Sequence, residues 1–204
     1  MASDGLTVAV TGPTGDLGVA VVSELERLPE VRRIVGLARR PFDPADAGWE
    51  KTEYREGDVR DKASVRDAVR GAHVVVHLAF AIIGAGRQSY EINVKGSRQV
   101  FEAAIDEGAK RVCYASSVAA YGFHSDNPEW LTEETMPRGT AEHYYSEQKA
   151  EVESILAQLM LRSRDTHGYV FRPCIVAGPQ AQALLEEMPF LKASEQLPAA
   201  ARRV

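Results

Sequence analysis

Leu6-Thr7-Val8-Ala9-Val10-Thr11-Gly12-Pro13-Thr14-Gly15-Asp16-Leu17-Gly18 decides the fold. Its first six residues are apolar or β-branched and run directly into glycine, the pattern of a short buried strand. Beyond it Leu17, Val21, Leu25 and Leu28 recur at helical spacing and Pro29 follows, which predicts a helix with those four on its inner face. The three glycines between strand and helix have separate tasks. Gly12 allows the tight bend, Gly15 lets an anion approach the backbone, and Gly18 lets helix pack on strand. The helix then offers free N–H groups and its positive dipole end to a phosphate. With Thr14, Asp16 and Leu17 completing the turn, residues 12–18 are a candidate dinucleotide site; a merely structural turn is the competing reading.

The same alternation continues down the chain. Apolar runs at 33–38, 72–79, 111–116 and 169–176 predict strands, and a more polar one at 52–56 suits a sheet edge. Between them, helices are expected at 61–70, capped by Asp61, at 88–107, stopped by Gly108, and at 142–163. Strands separated by helices imply a doubly wound Rossmann-type α/β fold, a parallel sheet with helices on both faces. Residues 122–140 form a loop long enough to suggest function. Residues 1–179 are expected to form the dinucleotide-binding domain, and 180–204 the start of a C-terminal substrate lobe that breaks off at Val204.

The second strand ends at Ala38, about where an NAD site places the acid that bonds the ribose 2′-hydroxyl. Arg39 and Arg40 follow instead. Two guanidiniums suit a 2′-phosphate, so NADP is the expected cofactor, with NAD still open; two solvated arginines are the plainer alternative. Asp58-Val59, after the third strand, is placed to bond the adenine amine, or Asp58 is an exposed loop acid.

Tyr145 and Lys149 stand four apart on the last long helix and share one face of it. Ser116-Ser117 ends a buried strand, where open α/β sheets gather their ligands. An ammonium beside a tyrosine favours the phenolate, which can take a proton from a hydroxyl or return one to a carbonyl oxygen.

TGPTGDLG, HVVVHLAF, EINVKGS, YASSVAAYG, YYSEQK and FRPCIVAGP occur in the order and spacing of the extended short-chain dehydrogenase/reductases. Across residues 5–180 the chain resembles their NAD-dependent epimerase/dehydratase group. That resemblance implies an oxidoreductase, epimerase or dehydratase moving a hydride at a hydroxyl or carbonyl carbon of a small molecule such as a nucleotide sugar. It implies that Ser117, in preference to Ser116, acts with Tyr145 and Lys149. It also implies that Asn93 shapes the nicotinamide side, that Leu78, Ala79 and Phe80 line the cofactor, and that Pro173, Ile175 and Val176 touch its nicotinamide end. Gln148 departs from the family's small Ser or Thr. A homodimer is implied through helices 88–107 and 142–163, with Val100, Phe101, Met160 and Leu161 as candidates for the paired face. A non-catalytic cofactor sensor, or a fragment that binds without turnover, is the alternative.

Composition narrows the field. The 204 residues are 45% hydrophobic and 26% charged, as expected of a folded globular domain. A net charge of −5 opposes general nucleic-acid binding, which needs a positive field. No apolar run reaches membrane length, and the first residues carry no signal-peptide pattern, so a cytoplasmic protein is expected. Cys113 and Cys174 sit apart in apolar runs and read as core packing. The five histidines lack ligand spacing, so no metal site is expected.

Overall fold

The computed structural model describes residues 5–82, 88–174 and 176. Residues up to Cys174 make one compact unit. In it, β1 (Leu6–Thr11), β2 (Val31–Ala38), β3 (Thr52–Glu56), β4 (Val74–His77), β5 (Arg111–Ala115) and β6 (His167–Phe171) form one sheet in the order β3-β2-β1-β4-β5-β6. Every pairing is parallel. The helices are α1 (Asp16–Arg27), α2 (Lys62–Val69), α3 (Gln88–Tyr90), α4 (Ser97–Asp106) and α5 (Tyr144–Met160). A π-helical stretch, Glu91–Gly96, joins α3 to α4.

Strand residues alternate between two cores. Val8, Val10 and Ile34 meet Val22 and Trp49 on one face of the sheet. Ala9, Val35, Leu37, Val75, Val112 and Tyr114 meet Val65, Phe101 and Leu156 on the other. Each such aliphatic side chain contributes about 1.5–3 kcal/mol when removed from water. Strand order reverses between β1 and β4, so a crevice opens at their carboxyl ends. That crevice positions everything described below.

Several expectations need correction. In α1 the inner residues are Gly18 and Val22, with Val19 and Leu25 packed beside them, whereas Leu17 and Leu28 are exposed. Close packing of Gly18 on the turn before it sets the helix rotation, and apolar spacing alone does not. Strand β6 ends early, at Phe171, because Pro173 has no N–H for a ladder, and all five of its residues are exposed. Val100 and Phe101 lie in the molecule's own core and cannot form a pairing face; Met160 packs against that core, and only Leu161 is strongly exposed, at 88%. Cys113 is half-buried and Cys174 exposed, so Cys174 is not core packing. Among the described residues no helix is long and apolar enough to cross a membrane.

Candidate functional site

The glycine turn closes on itself. Gly12 takes φ of +75° and donates its N–H to Leu37 O at 2.9 Å. A Cβ there would lie 2.9 Å from Ala79 N, and one at Gly18 would lie 2.0 Å from Gly12 O. Gly15 has open space instead, its nearest neighbour being Gly12 O at 3.6 Å. Gly15 is also the N-cap of α1, and no side chain caps the helix. The first-turn N–H groups, those of Asp16 and Leu17 among them, are left to an anion. Thr14 stands half-buried in the turn.

Arg39 and Arg40 are exposed where β2 ends. The Tyr54 hydroxyl donates to the carbonyls of Ala38 and Arg40, which fixes the backbone carrying them. Asp58 is engaged: Arg60 bonds both of its oxygens, at 3.1 and 2.7 Å. That bond, with Arg39 adding its field, holds the Asp58 carboxyl below its ordinary value. The Val59 side chain belongs to the core, so only its backbone could meet an adenine.

Behind the crevice runs a buried polar chain. Thr11 Oγ1 lies 2.6 Å from His77 Nδ1, and His77 Nε2 lies 2.7 Å from Ser97 Oγ. Ser97 gives its hydroxyl proton to the Asn93 carbonyl, so it must accept from Nε2–H. Nδ1 therefore accepts from Thr11, and Thr11 in turn accepts the Ala79 N–H at 3.4 Å. His77 is fully buried, and burial lowers its pKa to about 3, so the ring is neutral.

Asn93 spends its whole amide on the wall after β4. Its Oδ1 accepts the Ala81 N–H at 2.7 Å, and Nδ2 donates to Ala81 O at 3.0 Å and to Gln148 Oε1 at 2.8 Å. Leu78, Ala79 and Phe80 are half-buried along that wall. The Phe80 ring meets Tyr145 edge-on at 5.5 Å and lies 3.7 Å from Lys149 Nζ.

Ser117 caps the 3-10 turn Val118–Tyr121, accepting the Ala119 N–H at 3.1 Å, and also hydrogen-bonds Tyr145. Ser116 points elsewhere and donates to Glu153. Lys149 is buried and donates to Ala115 O at 2.7 Å. Burial lowers Lys149 to about 7, with the Glu153 charge opposing. Burial also pushes the Tyr145 phenol above its ordinary value, with the Ser117 bond opposing. Desolvation is the largest influence on that phenol, and the Tyr144 charge adds to it.

Pro173 is half-buried and its carbonyl accepts the Val118 N–H at 3.1 Å. Val176 is exposed, and Ile175 lies outside the described residues. Sequence reasoning missed His77, Glu153 and Arg172, and saw in Gln148 only a departure from the family's small residue. His77 had a signal, a polar residue closing the run Val74-Val75-Val76. Glu153 had one too, since it follows Lys149 by one helical turn on a face otherwise apolar.

Comparison with known proteins identifies relatives of the chain. Residues 8–203 match the model of the NAD dependent epimerase/dehydratase family. Sterol demethylase protein B of Methylococcus capsulatus is 31% identical over 180 residues, 85% of this chain and 52% of that protein. Human 3 beta-hydroxysteroid dehydrogenase type 7 is 35% identical over 125 residues, 57% of this chain and 34% of the other. Among solved structures, a UDP-glucose 4-epimerase superposes with a TM-score of 0.70 at 28% identity, over 84% of this chain and 52% of its own. A short-chain dehydrogenase/reductase superfamily protein from Agrobacterium tumefaciens with bound NAD gives 0.66 at 27% identity, covering 81% of this chain and 48% of its own. The chain thus spans about half the length of such relatives, or less.

Proposed function

The chain belongs to the NAD dependent epimerase/dehydratase family, and from that premise we propose that it interconverts a secondary alcohol and its ketone, with Tyr145 as acid and base. One observation carries the reading: Ser117, Tyr145 and Lys149 meet beside Phe80, on the wall that also closes over Gly12. The uncapped α1 terminus and the close approach at Gly12 and Gly18 fit a dinucleotide pyrophosphate. A nicotinamide cofactor held there supplies hydride exchange.

In the reducing direction the neutral Tyr145 phenol donates its proton to the oxygen of the carbonyl that receives hydride. Ser117 donates a hydrogen bond to the same oxygen and holds it in place. In the oxidising direction Tyr145 must take the hydroxyl proton. Lys149, near 7, gains charge as pH falls and stabilises the phenolate this leaves. Epimerisation and dehydration would begin with that same oxidation.

The rim supports an apolar ring alcohol over a nucleotide sugar. Val118, Phe123, Tyr144 and Ile82 are exposed around the site, and Phe123 and Tyr144 flank the His143 ring. The rim cation Arg138 is already paired with Asp126. Two relatives are also named for sterol or steroid chemistry. Arg39 and Arg40 favour NADP over NAD. A cytoplasmic setting and a two-fold pair belong to the same reading. Pairing through the Glu91–Gly96 stretch, α4 and α5 would bury charged residues such as Lys95, Arg98 and Glu151, so it should weaken with salt.

The test is a fluorescence titration with NADPH and NADH, followed by turnover assays on hydroxysteroids and UDP-sugars. Tighter NADPH binding, erased by Arg39→Ala with Arg40→Ala, is expected. Equal affinities in the unaltered protein overturn the NADP choice, and turnover of UDP-sugars alone overturns the substrate class.

A further inference from the structure

The residue that departs from the family pattern does more than occupy space. Gln148 is 6% exposed and sits directly before Lys149 on α5. Its Oε1 accepts from Asn93 Nδ2 at 2.8 Å, and its Nε2 donates to Ser89 Oγ at 3.2 Å. Asn93 is wholly buried, and both its amide ends are committed to the Ala81 peptide. A flipped Asn93 amide would set donor against donor at Ala81 N–H, so its orientation is fixed, and that fixes Gln148 in turn. One helical turn earlier, the Tyr144 hydroxyl donates to Ile82 O. Tyr144 and Gln148 therefore form a row on α5 beside the row of Tyr145 and Lys149, both at a spacing of four. The first row grips the segment 81–82, and the second meets the Phe80 ring just before it.

We infer that Gln148 is a positioning residue: through Asn93 it fastens the wall after β4 to α5, so that the cofactor cleft and the Tyr145–Lys149 pair keep one fixed spacing. This rests on the proposed function, the kinetic arm on its chemistry and the binding arm on its cofactor alone. The physical reason is that an amide inside a low-dielectric site holds direction as well as distance, which a small side chain at 148 could not do across the gap to Asn93.

The experiment compares the unaltered chain with Gln148→Met, which keeps volume and loses both bonds, and Gln148→Glu, which keeps the acceptor for Asn93 and can receive the Ser89 hydroxyl. Gln148→Met should weaken NADPH binding about tenfold and cut turnover by up to about 100-fold, with substrate KM little changed. The pH profile of turnover should also shift, since Lys149 is no longer sealed under Phe80. Gln148→Glu should recover most of the cofactor affinity. If Gln148→Met does not fold, Ser89→Ala removes only the outer bond and should weaken binding in the same direction by a smaller factor. Unchanged cofactor affinity in a folded Gln148→Met protein overturns the inference, as does a Gln148→Glu protein no better than Gln148→Met. If the unaltered chain binds cofactor yet turns nothing over, the functional reading fails while the binding arm still decides the role of Gln148.

Discussion

Arg172 grips Glu153 with two prongs, Nη2 to Oε2 at 2.7 Å and Nε to Oε1 at 3.1 Å, with the two side chains 18% and 6% exposed. The pair ties the end of β6 to α5. Arg172 Nη1 also donates to the Tyr121 hydroxyl at 3.0 Å, and that hydroxyl donates to Thr132 O at 2.8 Å. The carboxylate lies one turn from Lys149 and raises it against burial. A buried pair is costly to break singly, because the survivor keeps its charge without its partner.

Arg172→Met should therefore lower unfolding free energy by about 3–5 kcal/mol in urea melts. Adding Glu153→Leu to it should restore much of the loss, since no charge is then stranded. A double variant as unstable as the single would show that packing, and not the stranded carboxylate, sets the cost.

The glycine turn separates fold from binding. Gly18→Ala drives a methyl into the Gly12 carbonyl, which cannot yield without opening the turn. It should cost about 1–3 kcal/mol of stability along with cofactor affinity. Gly15→Ala meets nothing closer than 3.6 Å and should stay within about 1 kcal/mol of the parent while losing cofactor affinity. Retained affinity in Gly15→Ala would place the pyrophosphate elsewhere.

His77 makes the fold sensitive to acid. Its folded pKa is about 3, below the ordinary 6.5, so between those values the unfolded chain binds the extra proton. Stability is then full above about pH 6.5 and falls as pH drops toward 3, by up to about 1.4 kcal/mol per pH unit. Urea midpoints at pH 7 and pH 5 should show that fall. His77→Leu should start lower at pH 7 and lose less between the two.

Tyr145→Phe should fold and bind cofactor as before while turnover collapses. Lys149→Met should also lose turnover, yet melt at or above the parent at pH 7. The buried amine, at about 7 instead of 10.5, is a penalty that lifts only as pH rises through that range. Melting curves at pH 7 and pH 10 check this: the parent should gain on the variant. A variant far less stable at both would mean that the Ala115 bond outweighs desolvation.

Local signals carried the architecture. The run from Leu6 to Gly18, the valines of β4 and the Asp61 cap each act over a few residues, and each landed where expected. Properties decided by distant packing were not legible. The rotation of α1 depends on contact between Gly18 and Gly12, and the direction of the Tyr145 shift depends on how deeply α5 is buried. Local chemistry does not separate Ser116 from Ser117; the family resemblance preferred Ser117, and in the structure Ser116 donates to Glu153, 37 residues on.

The π-helical stretch Glu91–Gly96 holds one residue more per turn than an ordinary helix would. Winding these six residues as a regular α-helix, with none removed, would turn all that precedes them by about 100° against α4. Asn93 would swing off Ala81 and Tyr90 off Glu151, while Val100 and Phe101 stayed seated in the core. What is constrained in this stretch is its winding more than its spelling. Conservative exchanges at Ile92 or Val94 keep that winding, whereas a change that let the stretch rewind as an α-helix would leave a folded protein with its cleft wall unfastened.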